Sequence, residues 1–120
     1  MNETIRILLV DDNMVTRASL ATLLRGEHNL DVVGEASDGK MAVELTHKLR
    51  PDVIIMDVRM PVLNGIEATR LIMSGYPKTK VIGFTMQSEP GLGAAMLKAG
   101  AAACINKSDP IDALIATIQG

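Results

Sequence analysis

Asp11 and Asp12 close one apolar run, ILLV, and Asp57 closes another, VIIM. A carboxylate just after a buried strand lies at the strand's carboxyl end, where open α/β sheets build their sites. Two strands delivering acids to the same edge imply a shared cation, because like charges held close together otherwise repel and push one pKa upward. Two later runs add a hydroxyl, Thr85 after VIGF, and a lone cation, Lys107 after ACIN. Acids, hydroxyl and ammonium at strand ends suggest chemistry on a phosphoryl group. Magnesium suits this set: it prefers oxygen, keeps several waters, and takes one or two carboxylates plus phosphate oxygens. Zinc is disfavoured, since no cysteine or histidine lies near the acids. His28 and His47 fall in a loop and a helix and read as solvated surface residues.

Each of these residues also has a local explanation. Asp11 and Asp12 suit a turn or a helix N-terminus, where acids favour the dipole. Asp57 suits a turn before Met60-Pro61, Thr85 a strand-end cap, and Lys107 a solvated surface. What weighs against those explanations is that one sheet edge would receive both acidic sites and the lysine.

The elements that must position them alternate. Short β-rich runs and longer amphipathic ones follow one another, the signature of βα repetition and a parallel sheet. Strands are expected at Ile5–Val10, Val32–Ala36, Val53–Met56, Val81–Phe84 and Ala103–Asn106. Their nearly continuous apolar character fits strands buried on both faces. The second, with Glu35 near its end, reads as the weakest and as an edge. Helices are expected from about Met14 to Arg25, after Ser37-Asp38-Gly39 as far as Arg50-Pro51, from Asn64-Gly65 to near Gly75, and from about Gly93 to Ala99. Gly100 is the expected stop of the fourth. In the fifth, Asp109 should cap, Pro110 suits the first turn, and Ile111, Leu114, Ile115 and Ile118 recur at helical spacing. The sum is (βα)5, an α/β domain spanning residues 1–120. Right-handed crossovers favour an open, doubly wound sheet over a closed barrel.

Composition sets the surroundings. With 120 residues, 48% hydrophobic but only 2% aromatic, the core must be aliphatic, and the eight methionines read as its gap-fillers. A net charge of −2, with no run of Lys and Arg, gives no broad reason to bind nucleic acid. The single cysteine, Cys104, rules out an internal disulfide and reads as a small buried hydrophobe. No apolar stretch approaches a membrane span and the start, MNETIRILLV, lacks a signal-peptide pattern, so the expected setting is cytoplasmic, without membrane contact.

In order along the chain, LLVDDN, PDVIIMDVRMPVLNG, IGFT and KAGAAACINK resemble the receiver domain of two-component response regulators, from Ile5 to about Ile118. The resemblance implies a flavodoxin-like parallel sheet of order 2-1-3-4-5. It implies that Asp57 is the phosphoacceptor, taking its phosphoryl group from a sensor histidine kinase or phosphotransfer protein. Asp12 would hold Mg²⁺ directly, Asp11 through water, with Asp57 and the backbone carbonyl of Arg59 as further ligands. Thr85 would hydrogen-bond the phosphoryl oxygens and Lys107 would pair with them. Phosphorylation would shift the face made by the fourth helix, fifth strand and fifth helix between two states. Homodimerisation through that same face is a further implication. The expectation is a signalling switch with slow self-catalysed phosphotransfer and dephosphorylation, a fragment of a larger regulator or hybrid kinase.

Three departures from the family pattern stand out. Cys104 occupies the place of a switching Tyr or Phe, Met86 the place of a small residue beside the site, and Ser108 the place of a proline after the lysine. The Ser108 variation resembles regulators with C-terminal helix-turn-helix domains and some receivers attached to sensor kinases. Met86 is expected to obstruct small phosphodonors or water. Two other readings compete: a Mg²⁺-dependent phosphohydrolase of the haloacid dehalogenase type, and a degenerate receiver that binds partners without phosphorylation. The first resembles a D-x-D pattern with a cap domain, whereas this chain has adjacent aspartates and no cap insertion. The intact set of Asp11, Asp12, Asp57, Thr85 and Lys107 argues against the second.

Overall fold

The computed structural model describes residues 4–60, 62–86 and 91–120. Five strands alternate with five helices: β1 Ile5–Val10, α1 Met14–Arg25, β2 Leu30–Ala36, α2 Gly39–Leu49, β3 Val53–Met56, α3 Gly65–Gly75, β4 Lys80–Thr85, α4 Leu92–Ala99, β5 Ala103–Asn106 and α5 Ile111–Gln119. All strand pairs are parallel, in the order β2-β1-β3-β4-β5. The (βα)5 doubly wound sheet expected from the alternation is thus the observed fold, with β2 at one edge. No helix among the described residues is long and apolar enough to cross a membrane.

Strand periodicity divides the core in two. Ile7 and Leu9 of β1 face one side with Val53 and Ile55 of β3, where Leu20 and Leu24 of α1 and Leu114 and Ile118 of α5 cover them. Leu8, Val10, Ile54 and Met56 face the other side, under Ala42 of α2, Ala68 and Ile72 of α3 and Met96 of α4. Successive strand side chains point to opposite faces, so a strand apolar at every position needs helices on both. The methionines are divided. Met56 and Met96 are fully buried and fill the aromatic-poor core, but Met14 and Met86 are exposed, so gap-filling does not account for all eight.

Local chemistry sets the helix ends. Asn13, Asp38 and Asn64 cap α1, α2 and α3, each side chain accepting the N–H three residues on. Arg50, held before Pro51, leaves α2 in the left-handed region at φ 49°. Gly100, at φ 118°, ends α4 as expected. The start of α5 corrects the sequence reading. Pro110, not Asp109, stands at the cap position, extended at φ −57° and ψ 142°, and no side chain caps the helix. Asp109 lies one residue further out, and its N–H donates to the Asn106 carbonyl at 2.9 Å. The Asn106 side chain meanwhile takes both the N–H and the hydroxyl of Ser108. A turn organised by Asn106 therefore sets the chain's direction here. The expected Met60-Pro61 turn lies partly outside the described residues, at Pro61.

Candidate functional site

Register brings the acids together. Val10 pairs with Met56, so Asp11 and Asp57 leave neighbouring strands side by side. The ladder continues one residue past each strand: Asp11 N–H donates to Ala36 O at 3.1 Å, Asp57 N–H to Val10 O at 2.9 Å, and Lys107 N–H to Thr85 O at 2.8 Å. The backbones beneath these three side chains are thus held by the sheet itself. A site built on such a frame is better fixed than one built on a free loop.

The side chains converge as the sequence predicted. Carboxylate oxygens of Asp11, Asp12 and Asp57 lie within 4.8 Å of one another. Asp11 and Asp57 are buried and Asp12 is exposed. Lys107 Nζ reaches between the buried pair, 2.7 Å from Asp11 Oδ2 and 3.4 Å from Asp57 Oδ1. Asp11 and Asp12 do not cap α1. Asn13 does, and its N–H also donates to Asp11 Oδ1 at 2.9 Å. The pair stands just outside the cap, so a local role at the start of α1 coexists with its convergence on Asp57.

These residues line a cavity of about 430 Å³. Its wall also includes Thr16, Arg59, Thr85 and Met86. Thr85 is half-buried, and its hydroxyl donates to the carbonyl of Met86 at 3.3 Å, a long and weak bond that leaves it easily redirected. Met86 stands exposed at the mouth. Cys104, where a family aromatic ring was expected, is half-buried against the α4 side of the core, and burial pushes its thiol pKa up. It is a packing residue, as the sequence suggested.

Electrostatics mark Asp57. Burial, then the neighbouring charge of Asp11, push its carboxyl from the ordinary 3.8 up to about 6, against the opposing pull of Lys107. Burial alone would lower Lys107, but its hydrogen bond to Asp11 and the charges of Asp57 and Asp11 outweigh that, so the ammonium is held above its usual value. The cluster thus carries more negative charge than one lysine offsets. A hard divalent cation would relieve that excess, and an all-oxygen set of this compactness fits one small cation with its waters.

Two participants escaped the sequence reading, Asn13 and Arg17. Arg17 Nη1 donates to the Asp11 carbonyl at 2.6 Å, and Arg17 Nε pairs with Glu35 at 3.3 Å. The available signal was slight: an arginine one turn into the helix that follows the acids, and an acid, Glu35, next to last in the adjacent strand.

Comparison with known proteins agrees with this architecture. The family model of the response regulator receiver domain matches residues 7–119. The chain is 37% identical over 115 residues to the transcriptional regulatory protein DegU of Brevibacillus brevis, covering 96% of this chain and 49% of that protein. It is 41% identical over 107 residues to protein-glutamate methylesterase/protein-glutamine glutaminase 4 of Myxococcus xanthus, covering 88% of this chain and 30% of that protein. It spans about half the length, or less, of such curated relatives. Among solved structures, the response regulator domain of Thermotoga maritima CheB superposes with a TM-score of 0.90 at 38% identity, over 98% of this chain and 95% of that one. A LuxR-family response regulator from Aurantimonas sp. SI85-9A1 gives 0.89 at 32% identity, over 98% and 87% of the two chains. With its sheet order, its strand-end acids and these likenesses in agreement, the chain belongs to the family of response regulator receiver domains.

Proposed function

We propose that the domain is a phosphorylatable switch in which Asp57 accepts a phosphoryl group from a phosphohistidine of a sensor histidine kinase or phosphotransfer protein. The observation that carries this reading is the Lys107 ammonium set between the Asp11 and Asp57 carboxylates, beside Asp12. Asp12, Asp57 and the Arg59 carbonyl, with Asp11 through water, are the residues that would hold Mg²⁺. When bound, Mg²⁺ supplies charge neutralisation for the phosphoryl oxygens.

The chain's own groups divide the remaining work. With a pKa of about 6, the Asp57 carboxylate is largely ionised at neutral pH and available as a nucleophile. Its oxygen forms the new bond to phosphorus as the bond from phosphorus to the donor's imidazole nitrogen breaks, with that nitrogen leaving. Lys107, already 3.4 Å from Asp57, pairs with the transferred group as a point charge. Thr85 turns its weakly engaged hydroxyl to a phosphoryl oxygen. The new charge, about −1.5 to −2, draws Thr85 and Lys107 inward. Because Thr85 ends β4 and Lys107 directly follows β5, the movement reaches the α4–β5–α5 face, which is read by an effector, a second copy or a partner. Dephosphorylation is slow and self-catalysed, so the domain acts as a signal carrier and not as a turnover enzyme. Residues 1–120 form one receiver module within a larger regulator or hybrid kinase. Nucleic acid is not contacted through this domain, whose net charge is −2.

Intact mass after incubation with acetyl phosphate and Mg²⁺ tests the proposal. A gain of one phosphoryl group in the wild type, absent from Asp57→Asn, is expected. The same gain in both proteins, or in neither, contradicts it. Turnover of a phosphomonoester would instead favour a phosphohydrolase.

A further inference from the structure

Arg17 is a half-buried cation whose partners are a backbone carbonyl and an acid on another strand. Its side chain is 16% exposed. Nη1 donates to the Asp11 carbonyl at 2.6 Å, and Nε pairs with Glu35 near the end of β2 at 3.3 Å. Its partners are the Asp11 carbonyl and Glu35 rather than a carboxylate of the acidic cluster, yet it holds the peptide from which that cluster springs.

We propose that Arg17 is a positioning residue that, with Glu35, clamps the loop bearing Asp11 and Asp12 in its cation-holding form. The clamp rests on the reading of this cluster as a Mg²⁺ site. The Asp11 peptide is held from two sides: its N–H by Ala36 O at 3.1 Å, its carbonyl by Arg17. Fixing that carbonyl fixes the plane of the peptide joining Asp11 to Asp12, and with it the direction in which Asp12 departs. The loop needs such a fastening, because it carries two acids toward a third and mutual repulsion drives them apart. Sheet hydrogen bonds stop at the Asp11 N–H and Asp12 is exposed, so among the described residues Arg17 alone donates to that peptide's carbonyl. A guanidinium is suited to the task because its planar fork can serve a carbonyl and a carboxylate at once, which an ammonium cannot do in fixed geometry.

The pairing with Glu35 separates this role from a purely electrostatic one. A bare cation beside three acids would weaken cation binding by repulsion. Paired with Glu35, Arg17 adds little net charge to the cluster, so geometry dominates. The two roles predict opposite signs for removal of the guanidinium. Loss of a repelling charge tightens Mg²⁺ binding, whereas loss of the clamp loosens it.

Calorimetric titration of the whole chain with MgCl₂, on wild type, Arg17→Met, Arg17→Lys and Glu35→Gln, reads that sign. Arg17→Met is expected to raise the Mg²⁺ Kd about tenfold, the lower end of the effects seen when groups supporting metal ligands are removed. Arg17→Lys, which keeps the charge but not the fork, should remain several-fold weaker than wild type. Glu35→Gln should weaken binding in the same direction by a smaller factor, and adding it to Arg17→Met should do no further harm. Unchanged or tighter binding in Arg17→Met overturns the clamp while leaving the phosphoacceptor reading intact. Should Arg17→Met fail to fold by circular dichroism, Glu35→Gln and Arg17→Lys decide the matter, and wild-type affinity in both rejects it. A wild type that takes up no Mg²⁺ by titration overturns the metal site itself, and the clamp with it.

Discussion

In the proposed function Asp57 is a nucleophile in a place that resists its charge. Burial and Asp11 favour the neutral acid, and Lys107 only partly offsets them, which leaves the carboxyl near 6 against an ordinary 3.8. The folded state therefore binds this proton more tightly than the unfolded chain does. Stability tied to the group is complete below 3.8 and is lost as pH rises through about 6. Removing the charge should remove the penalty. In a chelator, Asp57→Asn is expected to exceed wild type in stability at pH 7 by about 2 kcal/mol, since each pKa unit corresponds to about 1.4 kcal/mol and solvent screening at the open site reduces the total. Urea titrations at pH 7 and at pH 4 test this, because the advantage should shrink toward zero at pH 4. An equal advantage at both values would show that Asp57 carries no ionisation penalty in the native protein.

The connection from β3 to α3 shows what an element must give up to present such a residue. Gly39 and Gly65 lie where a Cβ would run into backbone, of Leu63 and of Asp57 respectively. Their N–H groups donate to Leu63 O at 3.0 Å and Val58 O at 2.8 Å, which lashes the loop after Asp57 to the first turns of α2 and α3. Val62, in the same loop, sits at φ 69° and is 76% exposed. For a β-branched side chain that region is strained by about 1–2 kcal/mol, and no burial of Val62 offsets it. Val62→Gly should therefore raise stability by about 1 kcal/mol after the extra chain entropy of glycine is subtracted, a rise of a few degrees in a thermal melt. A lower melting temperature would show that Val62 is held by packing rather than strained. At this scale the sequence was readable where a strand is buried on both faces. Such runs end sharply, so Asp57 could be located to the residue, and β1 and β3 have the predicted limits; β5, half-buried along its length at the far edge, also has them, set by its apolar composition and the polar turn that follows. It was less readable where tertiary partners decide. β2 extends to Leu30, its register with β1 slipping between Ile7 and Leu8, because β1 supplies the pairing that its own composition does not announce. Asp109 lost its capping role to a turn organised by Asn106, and Arg17 gave no periodic pattern because its partners come from a loop before its helix and a strand after it.

Across the whole molecule, two aliphatic cores grip the sheet from either side while its carboxyl edge gathers like charge. Strand order was available only through family resemblance, since periodicity tells which face a residue takes and not which strand lies beside it. That order puts β1 beside β3, and so creates the conflict between Asp11 and Asp57. The cores outweigh this conflict without removing it, and a cation that binds only the folded arrangement should act on global stability. At a free Mg²⁺ concentration one hundred times its Kd, linkage adds about 2.7 kcal/mol. For a domain of this size that corresponds to a rise of about 10 °C in the melting temperature. Thermal unfolding at pH 7 over a MgCl₂ series should climb accordingly, in the wild type far more than in Asp12→Asn or Asp57→Asn at the same concentrations. Calcium should give a different curve, because it tolerates more ligands and longer bonds than a small octahedral cation. An identical rise in all three proteins would assign the effect to general screening of surface charge, and the cluster would then be an acidic rim that no ion occupies.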